Sequence, residues 1–473
     1  MKQLSSLDAT FLYLDSRGAH LTLTGVYVYQ QPRRPHQPLT YADIVRHISS
    51  RLHAAPGFTQ KLVRPPLDLD YPYWIEDADF EIESHIRRYE GAAPRNRAEL
   101  HDVVAELHAR PLDMSRPLWE TQVLEMVGPL EGLPKNCFAL ITRYHHSAID
   151  GASGNALIEG LHDVRPRDIE DFPAFPANRK IPKQPGTVGL LFRAAVNNLA
   201  GQVQLAQSVG KALPGIFRSG WSGDKDAGQA PVPKTRFNRS IGARRVFHAT
   251  SIPLAEIKKV RSAVKGATVN DVILAVCAGG LRSWLEERDE LPENSLVVMV
   301  PVNLRAGHET SAGNRVAPLF IPIYTDIADP LARLRAVHQR ASRAKAQVDG
   351  ETQERIREIT HHIPALALSS SGKALTGLGL GRRLNPVFNC TITNVPSPNR
   401  TLYLGRARMV YTTGAGPVLD GVGLIISLFT YAGQVDFTFT SCPEMLPEPA
   451  GMGRHLQRAF EALKASSSRR VSA

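Results

Sequence analysis

The sequence predicts an α/β chain (α+β, with mixed sheets) built as two subdomains, and three observations carry that reading. In both halves, stretches that alternate with period two are followed by stretches with helical apolar spacing. The strand-like stretches are β-branched and end at turn signals, as in residues 296–304 and 391–396. Between the halves, proline density rises at Pro166, Pro173, Pro176, Pro182 and Pro185, and again at Pro214, Pro231 and Pro233. The expected division is therefore 1–165, a proline-rich linker 166–245 carrying an amphipathic helix, and 246–473. A length of 473 residues is long for one core and fits this partition.

Taken in order, Leu7–Leu14 reads as a short helix or turn, and His20–Tyr29 as a strand with Leu21, Leu23, Val26 and Val28 as its apolar positions. Residues 40–53 read as a helix, Thr40 being the N-cap and Ile44, Ile48 and Leu52 its apolar stripe. A second helix is expected from Arg97 to His108, stopped at Arg110-Pro111 because a proline disfavours helix in the residue before it. Pro117-Leu118-Trp119 then leads into a strand through Val123 to Met126.

The next strand ends in Tyr144-His145-His146. Phe138, Leu140, Thr142, Tyr144 and His146 would share one face, and Ala139, Ile141, Arg143 and His145 the other. Asp150 and Gly151 turn the chain into a helical segment carrying Ala156, Leu157, Leu161 and Val164. In the linker, Val188, Phe192, Val196, Leu199 and Val203 recur at helical spacing beside Arg193, Lys211 and Arg218. Two readings stay open there: a crossover helix packed on the body, or a basic helix bedded in a lipid interface.

In the second half, Thr268-Val269-Asn270-Asp271 opens a long helix through Trp284 with capping-box spacing. Strands follow at 296–304 and up to Val395-Pro396, then a hairpin over 423–442 turning at Ala432-Gly433-Gln434. The serine-rich, basic tail from Ser466 to Ala473 is expected to fray.

Composition narrows the function. An apolar fraction of 43% and a charged fraction of 21% are ordinary for a globular protein. A net charge of +11 favours an anionic partner, such as a phosphorylated cofactor or an acidic lipid surface. No Lys/Arg run interleaved with aromatics points to nucleic acid. The four cysteines are far apart and suggest neither metal nor disulfide framework. Neither a signal peptide nor an apolar run of about 18 residues is visible, so a cytoplasmic chain without a membrane span is expected. Ser371-Gly372-Lys373-Ala374 and the alternating Gly377, Gly379 and Gly381 fail as phosphate-binding motifs. The sequon at Asn389 falls in a strand expected to be buried.

The chemistry concentrates in His145-His146-x-x-x-Asp150-Gly151. A metal site is disfavoured because adjacent strand histidines diverge and no third ligand cluster is visible. A structural histidine and a general base remain. An imidazole near neutral pKa can take a proton from a hydroxyl as it attacks an acyl carbonyl, a contribution of about 10²–10⁴-fold. No serine stands in a nucleophile-elbow context, which favours direct transfer.

At this point the chain resembles a known family. HHSAIDG looks like the HHxxxDG motif of chloramphenicol-acetyltransferase-like, CoA-dependent acyltransferases. LSSLDATFLYLDS, SHIRRYEGAAP, PLDMSRPLWE, ATVNDVILAVCAGGLR, PVNLR and NPVFNCTITNVPSP together resemble the bacterial wax ester synthase/acyl-CoA:diacylglycerol acyltransferases. The resemblance implies two chloramphenicol-acetyltransferase-like subdomains with a tunnel at their interface. It implies His146 as the base, acyl-CoA as donor substrate, and a fatty alcohol or diacylglycerol as acceptor, with no metal and no cofactor. His145 and Asp150 would support the strand and turn, and Gly151 would permit the backbone geometry there. Pro117, Leu118 and Trp119 match the family's PLW motif and would pack around the site. Asn270 and Asp271 match its ND motif, where helix capping competes with a substrate role. Peripheral attachment to the inner membrane face or lipid inclusions is implied, and oligomeric state stays open. Two departures stand out: Ser397 replaces a usual glycine, and Val435-Asp436-Phe437 occupies the place of a DFGWG motif. Two rivals are a condensation-type transferase acting on carrier-bound substrates and a non-catalytic lipid-binding protein.

Overall fold

The computed structural model describes residues 1–16, 18–33, 37–52, 56–128, 130–148, 159–168, 186–197, 231–303, 316–347, 365, 369, 385–395, 398 and 400–471. Two six-stranded mixed sheets and one three-stranded sheet organise them.

The first large sheet is centred on β2 (Thr22–Gln30) and β7 (Cys137–His145), which pair antiparallel over nine residues each, with β6 (Trp119–Val127) on the far side of β7. All nine residues of β7 are buried. Phe138, Leu140 and Tyr144 pack with Ile44, Ile48 and Leu52 of α1's successor, helix α2 (Tyr41–Arg51), and the turn after it, α1 being Ser6–Leu14. Cys137, Ala139 and Ile141 face Leu100, Val104 and Leu107 of α3 (Arg97–Ala109). The expected alternation is therefore realised through Tyr144 and closes with His145, where the strand ends.

The second large sheet holds β8 (Val246–Pro253), β9 (Val297–Asn303), β10 (Val316–Pro322), β11 (Cys390–Val395), β14 (Leu424–Tyr431) and β15 (Gln434–Ser441). β11 runs parallel to both β9 and β14, and the other pairs are antiparallel, so the sheet is mixed. The β14–β15 hairpin turns at Ala432 and Gly433, both at positive φ (47° and 79°), as a two-residue turn matched to strand twist requires. Helices α4 (Leu254–Arg261), α5 (Val269–Glu286), α6 (Pro330–Gln347) and α7 (Pro449–Val471) complete this half around buried Trp284.

The two halves are interlaced. After β11 the chain leaves the second sheet, forms β12 (Tyr403–Leu404) and β13 (Ala407–Ala415), and returns as β14. β13 pairs antiparallel with β2, so the span 246–473 supplies two strands of the first sheet.

The tail corrects one expectation. Residues through Val471 continue α7 rather than fraying. The hydroxyls of Ser466, Ser467 and Ser468 donate to the carbonyls of Ala462, Leu463 and Lys464, each four residues back. That back-bonding lets serine sit inside a helix.

Candidate active site

His145 and His146 stand at the C-terminal end of β7, in the middle of the first sheet. The ladder holds the backbone of both. The His145 N–H donates to Leu118 O at 3.0 Å and the His146 N–H to Leu21 O at 2.8 Å. Ala148 N–H then closes a turn onto His145 O at 2.9 Å.

The two rings live in different environments. His145 is 1% exposed, with Nε2 at 3.1 Å from Asp15 Oδ2 and Nδ1 at 2.7 Å from Ser147 Oγ. Asp15 also meets His20 at 3.4 Å. Burial alone would raise the Asp15 carboxyl, but hydrogen bonds from His145 and His20 outweigh it and hold Asp15 below the usual carboxylate range. His146 is half-buried, and its ring lies on Phe11 of α1 with centroids 3.8 Å apart and planes 19° from parallel. An offset aromatic stack of this kind is worth about 0.5–1.5 kcal/mol and fixes the ring plane. The His145 imidazole is held by Asp15 and Ser147, and the His146 imidazole is oriented by the ring face of Phe11.

Pro117, Leu118 and Trp119 are all buried against this turn. Leu118, besides receiving the His145 N–H, packs with Leu4, Ala9, Leu12 and Tyr13. Trp119 Nε1–H donates to Phe58 O at 2.9 Å, and its ring lies between Phe58 and His85. A narrow cavity on the same face of β7 reaches from Tyr144 and Trp119 to Leu140, Ile48 and the Tyr29–His162 pair.

Asn270 and Asp271 sit on the other half, at the start of α5. Asp271 Oδ2 accepts from Thr268 N–H at 2.7 Å while Thr268 Oγ1 accepts from Asp271 N–H at 3.2 Å, a reciprocal capping box. His338 Nδ1 of α6 lies 2.9 Å from the same carboxylate, which is 2% exposed. Asn270 is exposed, and its Oδ1 accepts from Asn394 Nδ2 at 3.1 Å. Asp150 and Gly151 lie outside the described residues, as do Leu304, Arg305, Pro396 and Ser397. Phe11, Asp15 and Ser147 were not singled out from sequence, though the first two fall in the opening block LSSLDATFLYLDS.

Asp436, where the DFGWG motif would stand, is 3% exposed and bonded to Ser251 Oγ; burial pushes its carboxyl up to about 6. All four cysteines are buried thiols. Asn389 is fully buried, its side chain bonded to Pro233 O and Asn238 Oδ1, which excludes it as a glycan acceptor in the folded chain. Among the described residues, no group of His, Cys, Asp and Glu is arranged to hold a metal ion, and no helix is long and apolar enough to cross a membrane.

Comparison with solved structures places the architecture first. The first condensation domain of the calcium-dependent antibiotic synthetase superposes with a TM-score of 0.55 over 98% of this chain and 96% of its own, at 15% identity, a likeness of fold. The class is therefore one of fold, a mixed α/β architecture shared with that domain. A wax ester synthase/diacylglycerol acyltransferase from Marinobacter aquaeolei VT8 fits better, with a TM-score of 0.68, 26% identity, and coverage of 99% and 100%. In sequence, residues 4–273 match the wax ester synthase/diacylglycerol acyltransferase catalytic domain and residues 312–464 the WS/DGAT C-terminal domain. A probable diacylglycerol O-acyltransferase of Mycobacterium tuberculosis is 31% identical over 474 residues, covering 97% of this chain and 96% of its own. The chain belongs to the wax ester synthase/diacylglycerol acyltransferase family, and it is an O-acyltransferase.

Proposed function

We propose that this O-acyltransferase moves a fatty acyl group from acyl-CoA to the hydroxyl of a long-chain alcohol or of diacylglycerol, with His146 as the general base. The observation that carries the assignment is the placement of the two rings: that of His145 is turned to Asp15 and Ser147 and buried, whereas that of His146 is only partly buried and stacked on Phe11 at the end of β7. In the reaction, the imidazole of His146 takes the acceptor's hydroxyl proton as the oxygen attacks the thioester carbonyl. Collapse of the tetrahedral intermediate breaks the C–S bond, and the proton passes from the imidazolium to the departing thiolate. An oxoester and free CoA result, without a covalent enzyme intermediate.

His145 acts as a positioning residue, tying the strand end to α1 through Asp15. The net charge of +11 suits both the phosphates of CoA and anionic headgroups, in keeping with attachment at a membrane face or lipid inclusion.

The test is thiol release from palmitoyl-CoA with hexadecanol or a diacylglycerol, paired with detection of the ester. Because the protein's own thiols are buried, a thiol reagent reads the released CoA with little background. His146→Ala is expected to lower the rate by about 10²–10⁴-fold. Full activity in that variant would overturn the assignment.

A further inference from the structure

The three-stranded sheet carries a surface that the chemistry above does not use. Between β3 (Gln60–Val63) and β4 (Tyr73–Glu76) the chain turns through Pro66-Leu67-Asp68. Leu67 has φ +56° and Asp68 φ +53°, and the Leu67 side chain is 82% exposed. A bulky residue in the left-handed region is a backbone outlier, and an apolar one held there in water calls for a reason.

The turn is held from below. Asp70 is buried and accepts from Gln3 Nε2 at 2.7 Å, the Tyr73 hydroxyl at 2.6 Å and Asn197 Nδ2 at 2.7 Å. Asn197 ends the described part of the linker helix, residues 187–197. That helix docks through buried Leu190 and Ala194. Its other stripe, Val188, Phe192 and Val196 at i, i+4, i+8, is 80%, 70% and 52% exposed. The helix is therefore packed on the body and also presents an apolar row outward; Leu199, Val203, Lys211 and Arg218 lie outside the described residues.

Cations border this face. Lys2 and Arg64 are exposed on the small sheet and its turn, and exposed Arg193 follows Phe192 on the linker helix, whose Asn197 is bonded to Asp70 and Tyr73. We infer that this face seats on an anionic phospholipid surface, with Leu67 and Phe192 entering the acyl region and the three cations on the phosphates. Charge selects that occupant over a second copy, which would bring like charges together on a chain of net +11. The position gives the seating a purpose, which rests on the proposed lipid acceptors. Leu12 and Tyr13 of α1 pack with Leu62, Tyr71 and Trp74 of the small sheet and its β3–β4 connection, and the same helix places Phe11 on His146.

The experiment compares full-length protein with Leu67→Gly/Phe192→Ser in flotation with vesicles of phosphatidylcholine, with and without phosphatidylglycerol. Wild type should partition onto the anionic vesicles, and the double variant should lose at least about tenfold in partitioning, since each side chain forfeits its apolar burial. Glycine suits the positive φ at 67, so an unchanged or raised Tm separates this loss from misfolding. Thiol release from a short, water-soluble acyl-CoA and alcohol pair should stay within about twofold of wild type, while ester formation on vesicle-borne acceptor falls with partitioning. Equal flotation of variant and wild type overturns the inference. So does a wild-type dimer that the double variant converts to monomer, which would make the face a self-interface. Anionic flotation without thiol release from any substrate pair supports the docking face and overturns the acyl-transfer proposal instead.

Discussion

Two family motifs sit on opposite halves of this molecule, and their surroundings are not alike. Asp271 is buried, and its Oδ2 is shared by the Thr268 N–H and His338 Nδ1. His146 is only partly buried, with one ring face covered by Phe11. Motif spacing cannot tell these cases apart. Their surroundings can: one is a carboxylate that builds a helix terminus, the other an imidazole stacked on an aromatic ring at the end of a strand.

The largest expected effect on this contrast is His146→Ala, a fall of about 10²–10⁴-fold in kcat with Tm nearly unchanged. Comparable loss in Tm would show that the ring is structural after all. Next comes Asp271→Ala, which should cost about 2–3 kcal/mol of stability by denaturant unfolding through loss of the cap and the bond to His338. The folded variant should retain kcat/KM within a few-fold; a large kinetic loss at normal stability would move Asp271 into the substrate site. Asp15→Asn should lower kcat about tenfold with little change in KM, because it loosens His145 rather than a substrate contact. Asp15 also sets a pH signature. Its folded carboxyl titrates below the usual range, so its contribution is present above about pH 4 and is lost as pH falls through the folded value. Unfolding followed from pH 6 to 3 should show a shallower acid limb in Asp15→Asn. The smallest effect belongs to Asn270→Ala, about 0.5 kcal/mol, since its contact with Asn394 is exposed.

Local signals were well read. Thr40 is the expected N-cap, closing a capping box with Asp43 besides, Thr268 forms the expected capping box, and the hairpin turns where Ala432-Gly433 indicated, because caps and tight turns are decided by a few neighbouring residues. The strand ending at His145 was legible from alternation. The grip of Asp15 on His145 was not, because 130 residues separate them and nothing in either segment names the other. Nor was the crossing of β13 into the first sheet: its apolar alternation is as suited to one sheet as to the other, and the choice is made by packing. The tail was misjudged by composition, since serines that read as coil bond back along α7.

That crossing also orders events during synthesis. β2 pairs on one side with β7 and on the other with β13, and Arg408 opposite Gln30 is 378 residues away in sequence. A ribosome that has released the whole first half has therefore released a sheet with a bare edge, whose N–H and C=O groups are satisfied only when residues 407–415 arrive. Until then the nascent chain is an adhesive intermediate. Late closure makes the finished protein hard to divide, for the same strand that completes one half is covalently threaded through the other.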